Sequence, residues 1–142
     1  MSTEKRILAS DLDGTADSDA PVYQALFSAL RAGGWEVVIL TGRKGAETIT
    51  PEIVGIKTDY LAQLGITAFD HLVVFPDMGG LPQEKAKWIE QHGVDVFIDN
   101  DRGNMQAASP YCLTLLPWAT RMGSKNDGEV KKVLHLVEPE ER

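Results

Sequence analysis

Cysteine is nearly absent from this 142-residue chain. Cys112 stands alone, so no disulfide can form within the chain. Its place in the apolar run Tyr111 to Leu116 reads as a buried thiol in a reducing compartment. Histidine is scarce too, and His71, His92 and His135 lack metal-ligand spacing. Long apolar stretches are missing: the one behind Lys5 and Arg6 ends at Ala9, so neither a signal peptide nor a membrane span is expected. Positive charge is in deficit. A net charge of −7 disfavours an extended nucleic-acid surface or attachment to anionic lipid, though not a local basic pocket. Repeats, low-complexity segments and linkers are also lacking. These absences leave a cytoplasmic protein of one domain over residues 1–142, with 138–142 as a solvated tail.

What the chain does have is Asp11-Leu12-Asp13-Gly14-Thr15, directly after the apolar run Ile7-Leu8-Ala9. Strand alternation starts Asp11 and Asp13 on the same side, and Gly14 lets the backbone turn close to a ligand. Two neighbouring acids can bind a hard cation, share acid and base work, or supply a nucleophile.

Apolar runs and breakers then alternate. Strands are expected at Ile7 to Asp11, Glu36 to Leu40, His71 to Phe75, Asp95 to Ile98 and Cys112 to Leu116. Helices are expected over Val22 to Ala32, between Pro51 and Leu64, and over Pro82 to His92. Thr50 can cap the second helix and Pro51 suits its first turn, but Gly55 argues for a later start near Thr58. Glu129 to Val137 reads as either a last helix or an edge strand. The alternation predicts an α/β fold: a single Rossmann-like open parallel sheet of about five strands, with helices on both faces. Such sheets bind ligands at the carboxyl ends of their strands.

At those ends lie Asp11 and Asp13, then Thr41-Gly42-Arg43, then Asp77, then Asp99-Asn100-Asp101, with Lys85 and Lys87 at the start of the helix before the fourth strand. That set suits phosphoryl transfer. Mg²⁺ on Asp11 and Asp99 would neutralise a phosphate ester, while the Thr41 hydroxyl, the Gly42 amide and a lysine would hold its oxygens. Asp13 would protonate the leaving oxygen and later deprotonate water.

The chain here resembles the haloacid dehalogenase-like superfamily, from about Ile7 to Ala108. The first motif of its phosphatases, of DxDGT type, is matched by Asp11 to Thr15. The second is matched by Thr41 closing strand two, the third by a lysine near a helix start, and the fourth by the acids after strand four. The resemblance implies that Asp11 is the nucleophile forming an aspartyl-phosphate and that Asp13 is the general acid/base. It also implies Mg²⁺ ligation by Asp11, Asp99 and the Asp13 main-chain carbonyl. Lys85 is taken as the family lysine because the apolar Ile89 follows four residues later, with Lys87 as runner-up. The fourth motif departs from the common pattern. Asn100 follows Asp99 directly and Asn104 stands where a second acid is usual, so either Asp101 compensates or Asn104 holds a metal-bound water. The family's inserted cap has no room, either between Thr15 and Thr41 or between Asp77 and Lys85, so a capless, open site is expected.

Other readings fit less well. A calcium loop counted from Asp11 or Asp13 lacks the required Gly and terminal acid, and Asp17 and Asp19 are read as solvated turn residues. A signalling receiver would need its Thr and Lys after later strands, and a dehalogenase would not need Asp13. Arg43, Lys44, Arg102, Arg121 and Lys125 are candidates for substrate contact. Trp35, Trp88 and Trp118 are read as packing residues, with Trp118 also able to line the site. The expected function is Mg²⁺-dependent hydrolysis of a phosphomonoester such as a nucleotide or nucleic-acid end, on a site left open or closed by a partner copy in a homo-oligomer. The alternative is a non-catalytic module that binds a phosphorylated ligand or serves assembly.

Overall fold

The computed structural model describes residues 5–121 and 130–136, with side chains for 5–117. Lys125 and the 138–142 tail therefore lie outside the described residues, as do the side chains of Trp118, Arg121 and His135.

Six strands form one sheet: β1 (Ile7–Asp11), β2 (Glu36–Lys44), β3 (His71–Asp77), β4 (Val96–Ile98), β5 (Leu113–Arg121) and β6 (Val130–Leu136). Their order is β3-β2-β1-β4-β5-β6. The first five run parallel, as expected, and β6 is an antiparallel edge strand on β5. Four helices alternate with the strands: α1 (Ala20–Ala32), α2 (Pro51–Leu64), α3 (Leu81–His92) and α4 (Arg102–Ala108).

Period-two alternation sorts the buried strand residues onto two faces. Leu8, Val37, Ile39 and Ile98 pack with Tyr23 and Phe27 of α1 and Leu61 of α2. Ala9, Val38, Leu40 and Phe97 pack with Ile89 of α3 and Met105 and Ala108 of α4. Helices therefore cover both faces, with α1 and α2 on one and α3 and α4 on the other. Ala20, Tyr23 and Phe27 lie on one stripe of α1 at helical spacing.

The second helix begins at Pro51 rather than near Thr58, because Thr50 Oγ1 accepts the Ile53 amide at 3.3 Å and Pro51 occupies the first turn. It runs through Gly55 and stops at Gly65, whose φ of +77° is the left-handed conformation glycine tolerates. β2 reaches Lys44, beyond the expected Leu40, because Thr41 to Lys44 still pair with Val74 to Asp77. α4 was not expected. Asp101 caps it, accepting the Asn104 amide at 2.8 Å. Cys112 is half-buried against the α3 and α4 core rather than fully enclosed, and that burial pushes its thiol up to about 12. Trp35 and Trp88 pack against the two cores.

No cap interrupts the described chain where the family would insert one. A short 3-10 turn over Ala16–Asp19 leads from β1 straight into α1, and β3 passes to α3 within a few residues. No described helix is long and apolar enough to cross a membrane.

Candidate active site

The strand order reverses between β1 and β4: the chain leaves β1 toward β2 and β3, then returns to its other side. Adjacent loops diverge at such a point and open a crevice at the carboxyl ends of the strands. Asp11 ends β1 and Asp99 follows β4, so both carboxylates fall at this crevice.

Lys85 joins them. It lies on the inward stripe of α3 with Leu81 and Ile89, and its Nζ is 2.8 Å from Asp11 Oδ1 and 2.9 Å from Asp99 Oδ2. Lys85 and Asp99 are 0% exposed and Asp11 is 6% exposed, so this is a buried charge cluster and not a surface ion pair. Each remaining carboxylate oxygen also meets a donor. Asp11 Oδ2 accepts from Thr15 Oγ1 at 3.0 Å, and Asp99 Oδ1 accepts from the Asp101 amide at 2.9 Å. Asn104 Nδ2 donates to Asp99 Oδ2 at 2.9 Å, while the Asn100 amide donates to Thr15 Oγ1 at 3.0 Å. Of the two candidates in the fourth motif, Asn104 thus reaches Asp99 with its side chain, whereas Asp101 spends a carboxylate oxygen on the helix cap.

Two carboxylates facing one ammonium leave an excess negative charge in a buried place. Burial raises the Asp11 carboxyl to about 7; Lys85 opposes that rise and Asp99 adds to it. Burial would lower Lys85, but the two carboxylates outweigh it and hold the ammonium above its ordinary range. Among the described residues no three His, Cys, Asp or Glu gather as a cation cage. The donor set is a pair of carboxylates with oxygen lone pairs to spare. It fits a hard cation that keeps part of its water and takes phosphate oxygens, as Mg²⁺ does.

Asp13 lines the same cleft as Asp11 but takes its partners from the other face of the sheet. The strand ends at Asp11 and Leu12 turns into the core beneath α1, so alternation does not carry through to Asp13. Asp13 instead meets the α2 side of the sheet: its Oδ2 accepts from Lys57 Nζ at 2.8 Å and from Thr41 Oγ1 at 3.0 Å. Thr41, expected to hold phosphate, thus donates its hydroxyl to Asp13. Lys57 was missed in the sequence. Its signal was present, since Lys57, Leu61 and Leu64 share one stripe of α2 and a buried lysine on an apolar stripe needs an acidic partner.

Asp17 is a brace and not a solvated turn residue. Its Oδ1 accepts the Gly14 amide at 2.7 Å and its Oδ2 accepts the Tyr60 hydroxyl at 2.7 Å, tying the loop after β1 to α2. The charge on Asp17 raises that hydroxyl to about 12, mainly through the hydrogen bond. Gly14 has φ +79°, and a Cβ there would collide with the Asn100 side chain. The positive φ is what requires glycine here, since the exposed Asn100 side chain could turn aside.

The resulting cleft of about 400 Å³ is lined by Asp11, Asp13, Gly42, Lys85, Asp99 and Asn104, with Lys44, Asp77, Asn100 and Asp101 also on its wall. Arg43 lies outside it, in an adjoining cleft. Lys87 and Arg102 are exposed and line neither. His71 pairs with Glu36 at 3.0 Å, and His92 bonds the Trp88 carbonyl. Comparison with protein-family models gives no match, and neither does comparison with curated proteins.

Proposed function

We propose that this chain is a Mg²⁺-dependent phosphomonoester hydrolase of the haloacid dehalogenase-like kind, acting through Asp11. The observation that carries the reading is the buried Lys85 ammonium held between Asp11 and Asp99 at the switch point of the sheet. A carboxylate buried with an ammonium and opening on a polar cleft has the makings of an activated nucleophile. Thr15 and Lys85 fix the Asp11 carboxylate from both oxygens, so it needs little reorientation before attack.

Asp11 and Asp99, with the Asp13 main-chain carbonyl, would hold Mg²⁺, which when bound supplies neutralising charge for the phosphoryl oxygens. Asp11 attacks phosphorus, a phosphorus–oxygen bond to Asp11 forms, and the ester bond to the alcohol breaks. Asp13 gives its proton to the departing oxygen. Asp13 Oδ2 is taken by Lys57 and Thr41, which leaves Oδ1 to carry that proton. In the second step Asp13 takes a proton from water as that water attacks phosphorus. The bond to Asp11 breaks and inorganic phosphate leaves. Lys85, and Thr41 once it turns from Asp13, stabilise charge on the phosphoryl oxygens, as does the Gly42 amide.

The test is a screen of phosphomonoesters with Mg²⁺ against wild type and Asp11→Asn. Turnover in the wild type that falls by at least ~10³-fold in the variant supports the reading. Binding of phosphorylated ligands without turnover would favour the non-catalytic alternative.

A further inference from the structure

We infer that the cleft adjoining the active site on the α2 side is a leaving-group subsite, and that it selects phosphomonoesters whose alcohol carries a second anionic group. The inference rests on the proposed role of Asp13. A group that protonates the leaving oxygen must stand beside it, so the rest of the alcohol lies on the Asp13 side of the phosphate. On that side is a second cleft, of about 430 Å³, which shares Asp13 with the first. A phosphate placed at Asp11 and an alcohol placed here are joined across Asp13.

The walls of this cleft indicate what would fill it. Arg43 stands two residues beyond Thr41 on β2 and so on the same side of the sheet. It is half-buried, and its guanidinium has no ion pair among the described residues. Lys57 is already committed to Asp13, with its Nζ 2.8 Å from Asp13 Oδ2. Asp59 also lines the cleft and is exposed to solvent. Arg43 is thus the half-buried cation of this cleft without an ion pair, and its planar fork favours a carboxylate or phosphate over a neutral group. Ile56, Tyr60 and Gln63 fall at i, i+4 and i+7 along α2 and present one face to the cleft. The Tyr60 hydroxyl is held by Asp17, which fixes its ring as a wall. An alcohol with a flat or apolar body and an anionic end matches these features.

Two phosphonates that cannot be hydrolysed provide the test: phenylphosphonate and 3-carboxyphenylphosphonate, titrated calorimetrically with Mg²⁺ present. The wild type is expected to bind the carboxylated compound about tenfold more tightly, corresponding to ~1.4 kcal/mol, and Arg43→Gln to bind both alike. Turnover of the corresponding phosphates, read in parallel, separates the two claims. If the binding preference is present and lost in Arg43→Gln while neither phosphate is hydrolysed, the selection of a second anionic group stands as binding alone, and the hydrolase reading falls together with the leaving-group role. If both phosphates are hydrolysed and the wild type shows no preference, the subsite is overturned and the hydrolase reading stands. Failure of both phosphonates to bind, with neither phosphate hydrolysed, overturns both.

Discussion

At the scale of single residues, the chemistry depends on two lysines placed where apolar side chains would ordinarily sit. Lys85 compensates Asp11 and Asp99, and Lys57 compensates Asp13. Removing one partner of a buried pair strands the other. Lys85→Met is therefore expected to lose about 3–5 kcal/mol in urea denaturation at pH 8. The loss should shrink when Asp11→Asn is added, and strict additivity of the two changes would contradict the coupling. Asp11 also makes stability depend on pH. Its carboxyl stands at about 7 in the folded protein against 3.8 in the unfolded chain, so it binds its proton more tightly when folded. Its stabilising contribution is complete below 3.8 and is lost as the pH rises through about 7. Asp11→Asn should match wild-type stability near pH 3 and exceed it by about 4 kcal/mol at pH 8, an order-of-magnitude figure from the shift. A gap independent of pH would contradict this. The first motif and Lys85 were legible because residue type and strand-end position coincide. The separate partners of Asp11 and Asp13 were not, since alternation holds only while the strand lasts, and β1 ends at Asp11. Lys57 was hidden because a lone lysine in a helix reads as exposed until the stripe it shares with Leu61 is counted.

At the scale of elements, three strands and two helices each position one part of the site. β1 and β4 deliver the carboxylates, α3 the ammonium, β2 the threonine, and α2 the lysine on Asp13. Element type followed from periodicity and breakers almost throughout, and the misses have local causes. Gly55 pointed to a late start for α2, yet the Thr50 cap and Pro51 outweigh one glycine. A Cβ at Gly55 would meet open space, so Gly55→Ala is expected to stabilise the protein by about 0.5–1 kcal/mol in thermal denaturation. A destabilised variant would show that the glycine conformation is needed. α4 spans seven residues with Gly103 in its first turn, too short for a period to stand out. Its one signal was the pairing of Asp101 with Asn104 across the first turn. The polar end of β2, Thr41 to Lys44, looked like a loop because strand pairing with β3 cannot be read from side-chain character.

At the scale of the whole molecule, the sheet order matters more than any one element. Residues spread from Asp11 to Asn104 meet because β1 and β4 are neighbours at the switch point. The antiparallel β6 lies at the far edge and leaves that crevice untouched. Among the described residues no inserted cap covers the crevice, so on the proposed reading specificity would fall to the residues around it, among them Arg43 and α2. The cluster of Asp11, Asp99 and Lys85 carries excess negative charge, so a divalent cation should stabilise the folded state. At Mg²⁺ a hundredfold above its dissociation constant the gain is ~2.7 kcal/mol, visible as a raised Tm in the wild type and absent in Asp99→Asn. An equal rise in both proteins would place the ion elsewhere. The central claim is that Asp11 itself receives the phosphoryl group. The most direct measurement is mass spectrometry of rapidly quenched Asp13→Asn after mixing with p-nitrophenyl phosphate and Mg²⁺, since loss of the Asp13 base slows release of the intermediate. A phosphoryl group on the peptide containing Asp11 is the expected result. Release of p-nitrophenol with no phosphoryl group on that peptide would contradict the account.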